Sequence, residues 1–135
     1  MIVAHQGASQ DAPGNTIPAF KLAWEQGADA IEGDFHLTQD GYIVCIHDGN
    51  TERVSHANFV IRDTPLAELR KLDVGIRRGR EFKGTVIPTI AEVFETIPRQ
   101  KIIYVEIKCG PEMIPPLLKQ IRQSGLTKEQ IVTIS

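Results

Sequence analysis

The sequence has 135 residues, of which 41% are hydrophobic, so it is long enough for one domain with a hydrophobic core, spanning residues 1–135. A net charge of −2 argues against a nucleic-acid partner, and no apolar run is long enough for a transmembrane segment. The amino terminus lacks a signal-peptide pattern and two cysteines are too few for a disulfide framework, so we expect a cytoplasmic protein with reduced thiols.

The first predicted unit is a strand followed by a loop and a helix. The apolar stretch Ile2–His5 forms the strand, and Asn15 and Thr16 can cap a helix that stops at Gly27. Ligand-binding groups gather at the carboxyl ends of parallel strands, which is where His5 lies. A strand-end histidine that caps a loop carbonyl would explain His5 equally well.

Most of the chemically interesting side chains lie between Ala30 and Asp48. Apolar residues alternate there as in half-buried strands, and Asp40-Gly41 predicts a hairpin turn. Pairing Gln39 with Tyr42 would place Asp34 opposite His47. The alternation then assigns one set of residues to a single face: Glu32, Asp34, His36, Thr38, Ile43, Cys45 and His47. Carboxylates are seldom buried without a partner, so this face is either a functional site or an ordinary solvent-exposed strand face.

The remaining segments alternate between helix and strand. Thr64 is a candidate cap for a short helix over Pro65–Leu72, and Arg77–Lys83 is a basic loop that is either solvated or attracts an anionic substrate or a lipid surface. Further elements are predicted as a helix at Thr89–Ile97, a strand at Ile102–Lys108, a helix at Glu112–Ser124 and a strand at Ile131–Ser135. Pro115-Pro116 should either fit the first turn of the helix at Glu112–Ser124 or break it.

This alternation predicts an α/β fold built on a mainly parallel sheet. The strand-end groups would share one rim if the sheet curls: His5, Glu32, Asp34, His47, Glu106 and Lys108. Three carboxylates suit Mg²⁺ or Ca²⁺, and two histidines suit general acid–base work near neutral pH. A cation together with Lys108 would stabilise charge on a phosphoryl group, so the constellation indicates metal-assisted phosphodiester cleavage.

Several short motifs in this order resemble those of the glycerophosphodiester phosphodiesterase family, within the phosphatidylinositol-phospholipase-C-like superfamily of TIM barrels. The matching segments are Ala4–Gly7, Asn15–Phe20, Glu32–Thr38, Asp40-Gly41, His47-Asp48, Glu68–Asp73, Ile87–Glu92 and Val105–Lys108. The resemblance implies His5 and His47 as the catalytic acid–base pair. It implies Glu32, Asp34 and Glu106 as ligands of one divalent cation, and Lys108 as a phosphate contact. The implied reaction cleaves a small-molecule glycerophosphodiester to glycerol phosphate and an alcohol.

Two residues depart from the family pattern. Gln6 stands where the family usually has arginine, and Gly14 stands where it usually has glutamate. Gln6 can donate hydrogen bonds to a substrate but lacks the charged, bidentate grip of arginine on phosphate, so we expect weaker substrate binding.

The length is the third departure, because a full barrel needs about 250 residues. We expect a TIM-type (β/α) barrel that is incomplete, with about five of eight strands in this chain and unpaired edges at the first and last. A homo-oligomer or a longer protein would cover those edges. In a barrel the strands ending at Asp34 and His47 would run parallel, with Phe35–Tyr42 as the return path.

Two other functions fit the same residues. The chain could be a non-catalytic remnant or a phosphodiester-binding module that keeps the metal site without turnover. It could also be a lysophospholipase D-like lipid phosphodiesterase whose basic loop rests on a lipid surface.

Overall fold

The computed structural model describes residues 1–135, which alternate between strand and helix as the sequence predicts. The strands are β1 (Val3–His5), β2 (Ala30–Leu37), β3 (Ile43–Cys45), β4 (Ile102–Ile107) and β5 (Ile131–Ile134). The helices are α1 (Ile17–Glu25), α2 (Leu66–Leu69), α3 (Ile90–Glu95) and α4 (Ile114–Ser124). No helix in the chain combines the length and the apolar character that a membrane span requires.

The sheet is parallel along the order β1–β2–β4–β5, and β3 pairs with the end of β2 in the antiparallel sense. The predicted α/β fold with a mainly parallel sheet is therefore confirmed. Of the five strands, four belong to the parallel series. The outer strands β1 and β5 each have one unpaired edge, as the sequence predicts.

The hairpin exists, but its predicted register is wrong by one residue. Thr38, not Gln39, pairs with Tyr42 through the Thr38 N–H, and Phe35 lies opposite Cys45. Asp34 is consequently paired with Ile46, whose N–H donates to the Asp34 carbonyl over 2.9 Å, and not with His47.

The one-residue difference also overturns part of the predicted face assignment, because neighbouring strand residues point to opposite faces. Ile43 and Cys45 lie in the same apolar cluster as Phe35, whereas Val44 belongs to a second cluster. The expectation that the strands ending at Asp34 and His47 run parallel is wrong as well, because a connection this short permits only antiparallel pairing.

Of the two helix caps that the sequence predicts, the one at α1 is confirmed and the one at α2 is wrong. The Thr16 hydroxyl accepts the Ala19 N–H at the start of α1, and Thr89 forms a capping box with Glu92 at α3. Thr64 does not cap α2, since the N-cap residue of that helix is Pro65, and the Thr64 hydroxyl donates to the Val60 carbonyl. The first N–H of α2 donates to the Asp40 carboxylate from the hairpin turn, 3.0 Å away.

The main core lies between the sheet and the helices α1, α3 and α4. Its largest fully buried members include Phe20, Ile31, Phe35, Ile90, Val93, Ile103, Val105 and Met113. A second cluster beneath the long 49–88 segment contains Val44, Ile46, Ile61, Leu69, Val74 and Ile87. Gly7 has a positive φ, and a side chain there would come within 2.7 Å of the Ala19 backbone, so glycine lets the β1–α1 loop pack on α1.

Candidate active site

Strand register brings the predicted acidic residues together. Glu32 in β2 is paired with His5 in β1, and Asp34 in β2 is paired with Glu106 in β4. Asp34 is fully buried, Glu32 is 7% exposed, and the Glu106 side chain is partly exposed. Two neighbouring strands thus supply three carboxylates to one place.

The three carboxylates could hold one divalent cation. One oxygen from each of Glu32, Asp34 and Glu106 lies within 4.8 Å of the other two. Asp34 Oδ1 is buried and accepts no hydrogen bond, which is costly for a carboxylate oxygen unless a cation satisfies it. All three candidate ligands bind through oxygen, and one of those oxygens has no hydrogen-bond partner, which fits a hard cation such as Mg²⁺ or Ca²⁺.

The second oxygen of Asp34 is held by two side-chain amides. Asn15 Nδ2 donates to Oδ2 over 3.0 Å and Gln6 Nε2 donates over 3.2 Å. Asn15 Oδ1 in turn accepts the Asp34 backbone N–H over 3.1 Å. Sequence reasoning treated Asn15 as a helix cap. Its φ of 62°, in the left-handed region that asparagine tolerates, is the feature that turns it toward the strand.

Burial and hydrogen bonding shift the pKa values of the two buried acids in opposite directions. Burial, followed by the neighbouring Asp34 charge, raises the pKa of Glu32 from 4.5 to about 8. Burial also raises the pKa of Asp34, but hydrogen bonds led by the Asn15 amide outweigh it and leave that pKa below its usual value. In the metal-free chain Glu32 therefore carries a proton at neutral pH and Asp34 does not.

His5 sits at the end of β1 with its side chain 71% exposed. Its Nε2 lies 3.6 Å from Glu32 Oε1, so the ring borders the carboxylate cluster and remains open to a substrate. The following residue, Gln6, adopts a φ of 60° and donates its N–H to the Glu32 carbonyl over 2.8 Å. That backbone turn fixes where the chain leaves the strand.

His47 is positioned by a short chain of charged groups. Its Nδ1 lies 2.8 Å from Asp48 Oδ1, and Arg53 Nε donates to Asp48 Oδ2 over 2.9 Å. The hydrogen bond from Arg53, then that from His47, lowers the pKa of Asp48 to about 2. An ionised Asp48 favours the imidazole tautomer with its proton on Nδ1, which leaves Nε2 available for proton transfer.

Lys108 follows β4 and extends toward the carboxylates. Its Nζ lies 3.4 Å from Glu106 Oε1 and 3.9 Å from Asp34 Oδ1. The structure thus places the ammonium group beside the candidate cation site, where an anionic substrate group would meet it.

Gln6 and Gly14, the two departures from the family pattern, occupy one small space. A Cβ on Gly14 would lie 2.6 Å from Gln6 Oε1, which is closer than the two atoms can approach. The absence of a side chain at position 14 therefore leaves room for the Gln6 amide to reach Asp34.

Two neighbouring residues have structural contacts. Cys45 is buried in the core with its Sγ 3.2 Å from Asn15 Oδ1, and burial raises the pKa of its thiol well above the usual value. His36 Nε2 lies 3.0 Å from the His47 carbonyl.

The sequence also matches a family model, described as the glycerophosphoryl diester phosphodiesterase family, over residues 5–132. The chain belongs to this family. A glycerophosphodiester phosphodiesterase of Caldanaerobacter subterraneus is 41% identical over 138 residues, which cover 98% of this chain and 57% of that protein. The predicted family resemblance is confirmed.

Solved structures of family members agree with the observed fold. A phosphodiesterase from Oleispira antarctica, in complex with its product sn-glycerol-3-phosphate, superimposes with a TM-score of 0.92 at 32% identity, covering 98% of this chain and 56% of that one. The Agrobacterium tumefaciens glycerophosphodiester phosphodiesterase gives a TM-score of 0.89 at 30% identity, covering 99% and 57%. The chain thus spans little more than half the length of these family members and contains part of the barrel.

Proposed function

We propose that the chain carries the catalytic site of a phosphodiesterase that hydrolyses glycerophosphodiesters to glycerol phosphate and an alcohol. The observation that carries the proposal is a carboxylate cluster with His5 and Lys108 beside it, in a chain that the family model matches over residues 5–132. His47 lines the adjoining cavity together with Gln6, whose amide donates to Asp34. The Oleispira relative holds sn-glycerol-3-phosphate as its product, which supports the same substrate class here.

Glu32, Asp34 and Glu106 would hold Mg²⁺ or Ca²⁺, with the orphaned Asp34 Oδ1 as one ligand atom. A cation bound there supplies Lewis-acid polarisation of a phosphoryl oxygen. The Asn15 and Gln6 amides hold the other oxygen of Asp34, so its carboxylate is oriented before any ligand arrives.

The two histidines exchange protons with the oxygens on either side of phosphorus. One imidazole accepts a proton from a hydroxyl group of the glycerol portion as that oxygen bonds to phosphorus, and the other donates a proton to the departing alcohol oxygen. Water then opens the resulting cyclic phosphate to give glycerol phosphate. Asp48 orients the His47 ring for this role, and the Lys108 ammonium donates to a non-bridging phosphate oxygen.

The test is hydrolysis of glycerophosphoglycerol, a diester with an uncharged alcohol, with and without a chelator. Turnover should be lost on chelation, and His47→Ala should lower it by about 100-fold or more, as expected for removing a general acid or base. His56→Ala, which changes an exposed histidine in a polar loop, is the matched control and should keep full activity. Absence of chelator-sensitive turnover, with His47→Ala equal to the parent, would contradict the proposal.

A binding module without turnover is the second candidate. It is favoured by one observation, that the chain spans little more than half the length of its relatives. Cation binding that persists while no diester is hydrolysed would identify this alternative.

A further inference from the structure

A cavity of about 260 Å³ lies beside the candidate site. Gln6 and His47 line it, so it adjoins the place where the phosphodiester would be cleaved. Its other walls come from the β1–α1 loop and from the segment between residues 74 and 87. Val54, Val74 and Ile87 provide apolar surface within it.

The lining is strongly positive in a chain whose net charge is −2. Three arginines line the cavity, namely Arg53, Arg77 and Arg78, and no aspartate or glutamate does. Arg53 is neutralised by its ion pair with Asp48. Arg77 and Arg78 are exposed and form no ion pair with any carboxylate, so two uncompensated positive charges line the cavity within reach of solvent.

Backbone carbonyls hold these two guanidinium groups in place. Arg77 Nη1 donates to the carbonyls of Glu52 and Arg53, at 2.8 and 3.0 Å. Arg78 Nη2 donates to the Gln10 carbonyl in the β1–α1 loop. A guanidinium has five N–H donors, so each arginine keeps several for a ligand after these bonds are made.

We propose that this cavity receives the alcohol portion of the substrate and favours alcohols that carry an additional phosphate or carboxylate group. The inference rests on the proposed function and names its substrate class. The arginines of the basic loop Arg77–Lys83 therefore differ in position. Arg77 and Arg78 line the cavity, whereas Arg80 does not. An anionic group among fixed guanidinium donors forms charge-assisted hydrogen bonds, while the cationic choline group is repelled.

The experiment compares the affinity of three diesters by calorimetry at low ionic strength. Glycerophosphoglycerol phosphate has an anionic alcohol, glycerophosphoglycerol a neutral one, and glycerophosphocholine a cationic one. His5→Ala serves as the background so that the ligands are not consumed. The anionic diester should bind about tenfold more tightly than the neutral one, the cationic one should bind most weakly, and added salt should narrow the differences.

The double variant Arg77→Gln with Arg78→Gln should remove this order of affinities. Glutamine keeps a donor for the backbone carbonyls, which protects the loop conformation, and thermal unfolding checks that the variant is folded. Arg80→Gln is the matched control and should keep the order.

Equal affinity for the three diesters in the parent protein would overturn the proposal, whatever the variants do. An equal loss of the order in Arg80→Gln would also overturn it, because the effect would then be diffuse surface charge. Binding does not require turnover, so the experiments can contradict the proposed phosphodiesterase activity and the charge preference of the cavity independently of each other. A chain that hydrolyses nothing yet keeps the order contradicts only the proposed function, and hydrolysis without any charge preference contradicts only the cavity's role.

Discussion

At the scale of single residues, Gln6 and Gly14 form a coupled pair beside Asp34. The Gln6 amide donates to Asp34 Oδ2, and it does so in the space that a side chain at position 14 would occupy. Gln6 and Gly14 are both uncharged, and together they keep Asp34 oriented. This joint effect does not follow from either residue considered alone.

Gly14→Ala should therefore act through Gln6. The new methyl group displaces the end of a flexible side chain, so the fold should survive, while the loss of the Gln6–Asp34 bond lowers cation affinity by about tenfold. Calorimetric titration with Ca²⁺ measures this. Gln6→Ala should cause the same loss, and the double variant should cause no more than either change alone. Additive losses would show that the two residues act independently.

The raised pKa of Glu32 predicts a pH dependence for cation binding. Below about pH 8 the metal-free Glu32 is protonated, and a cation must displace that proton to bind. Apparent affinity should rise by up to tenfold for each pH unit and level off above about pH 8. Titrations between pH 6 and 9 measure the slope, and the proton released can be measured in two buffers of different ionisation enthalpy. A flat profile would contradict a protonated Glu32.

The sequence predicted which carboxylates come together, but not where they lie on their strands. Glu106 lies near the carboxyl end of β4, whereas Glu32 and Asp34 lie inside β2, which continues to Leu37. Lys108 lies beside them. Asn15 was missed because its partner lies 19 residues away in another element. Local patterns report on capping, and they carry no information about such long-range hydrogen bonds.

At the scale of elements, the β2–β3 hairpin shows why the presence of a hairpin is easier to predict than the register of its strands. The Asp-Gly pair correctly predicted a reversal, but the turn contains three residues, Gln39 to Gly41, with Gly41 at a φ of 86°. Three-residue hairpin loops commonly end in a glycine of this conformation, and a two-residue loop would use the same Asp-Gly sequence. The two alternatives differ by one residue, which is enough to exchange the faces of Ile43 and Val44.

A bidentate ion pair joins α2 to α3, between Arg70 and Glu92. Nη1 and Nη2 donate to the two carboxylate oxygens over 2.5 and 3.1 Å. The Arg70 hydrogen bond lowers the pKa of Glu92, so the pair contributes stability above the ordinary value of 4.5, and that contribution is lost as pH falls through the lower folded-state pKa.

Glu92→Gln should lower the free energy of unfolding at pH 7 by about 1 kcal/mol, measured by urea denaturation, because the pair is partly exposed. The difference from the parent should shrink in acid. Glu68→Gln, which removes an exposed pair between α2 and Lys71 just beyond its end, is the matched control and should cost less than about 0.5 kcal/mol. Equal effects of the two substitutions would contradict a special role for the α2–α3 pair.

At the scale of the whole molecule, the main feature is that the sheet is open, with unpaired edges at β1 and β5. An eight-stranded barrel has no edges, whereas the parallel series here has four strands. Ile2, Val3, Val132 and Ile134 are all exposed near these edges. Exposed apolar edge strands pair readily with other chains.

We predict that the 135-residue chain self-associates through these edges at micromolar concentration. Gel filtration with light scattering measures the molar mass over a range of concentrations. Val132→Lys with Ile134→Lys should shift the equilibrium toward monomer, since lysine on an edge strand opposes pairing. Lys119→Gln, at an exposed position of α4, is the control. A parent chain that stays monomeric at every concentration would contradict the prediction.

The proposed active site depends most directly on a cation held among Glu32, Asp34 and Glu106. A crystal grown with Mn²⁺, which substitutes for Mg²⁺ and scatters anomalously, tests this. We predict a single strong anomalous peak within bonding distance of Asp34 Oδ1, and no such peak in Asp34→Asn crystals. A parent crystal without a peak at that position, at millimolar Mn²⁺ and pH 8, would contradict the account.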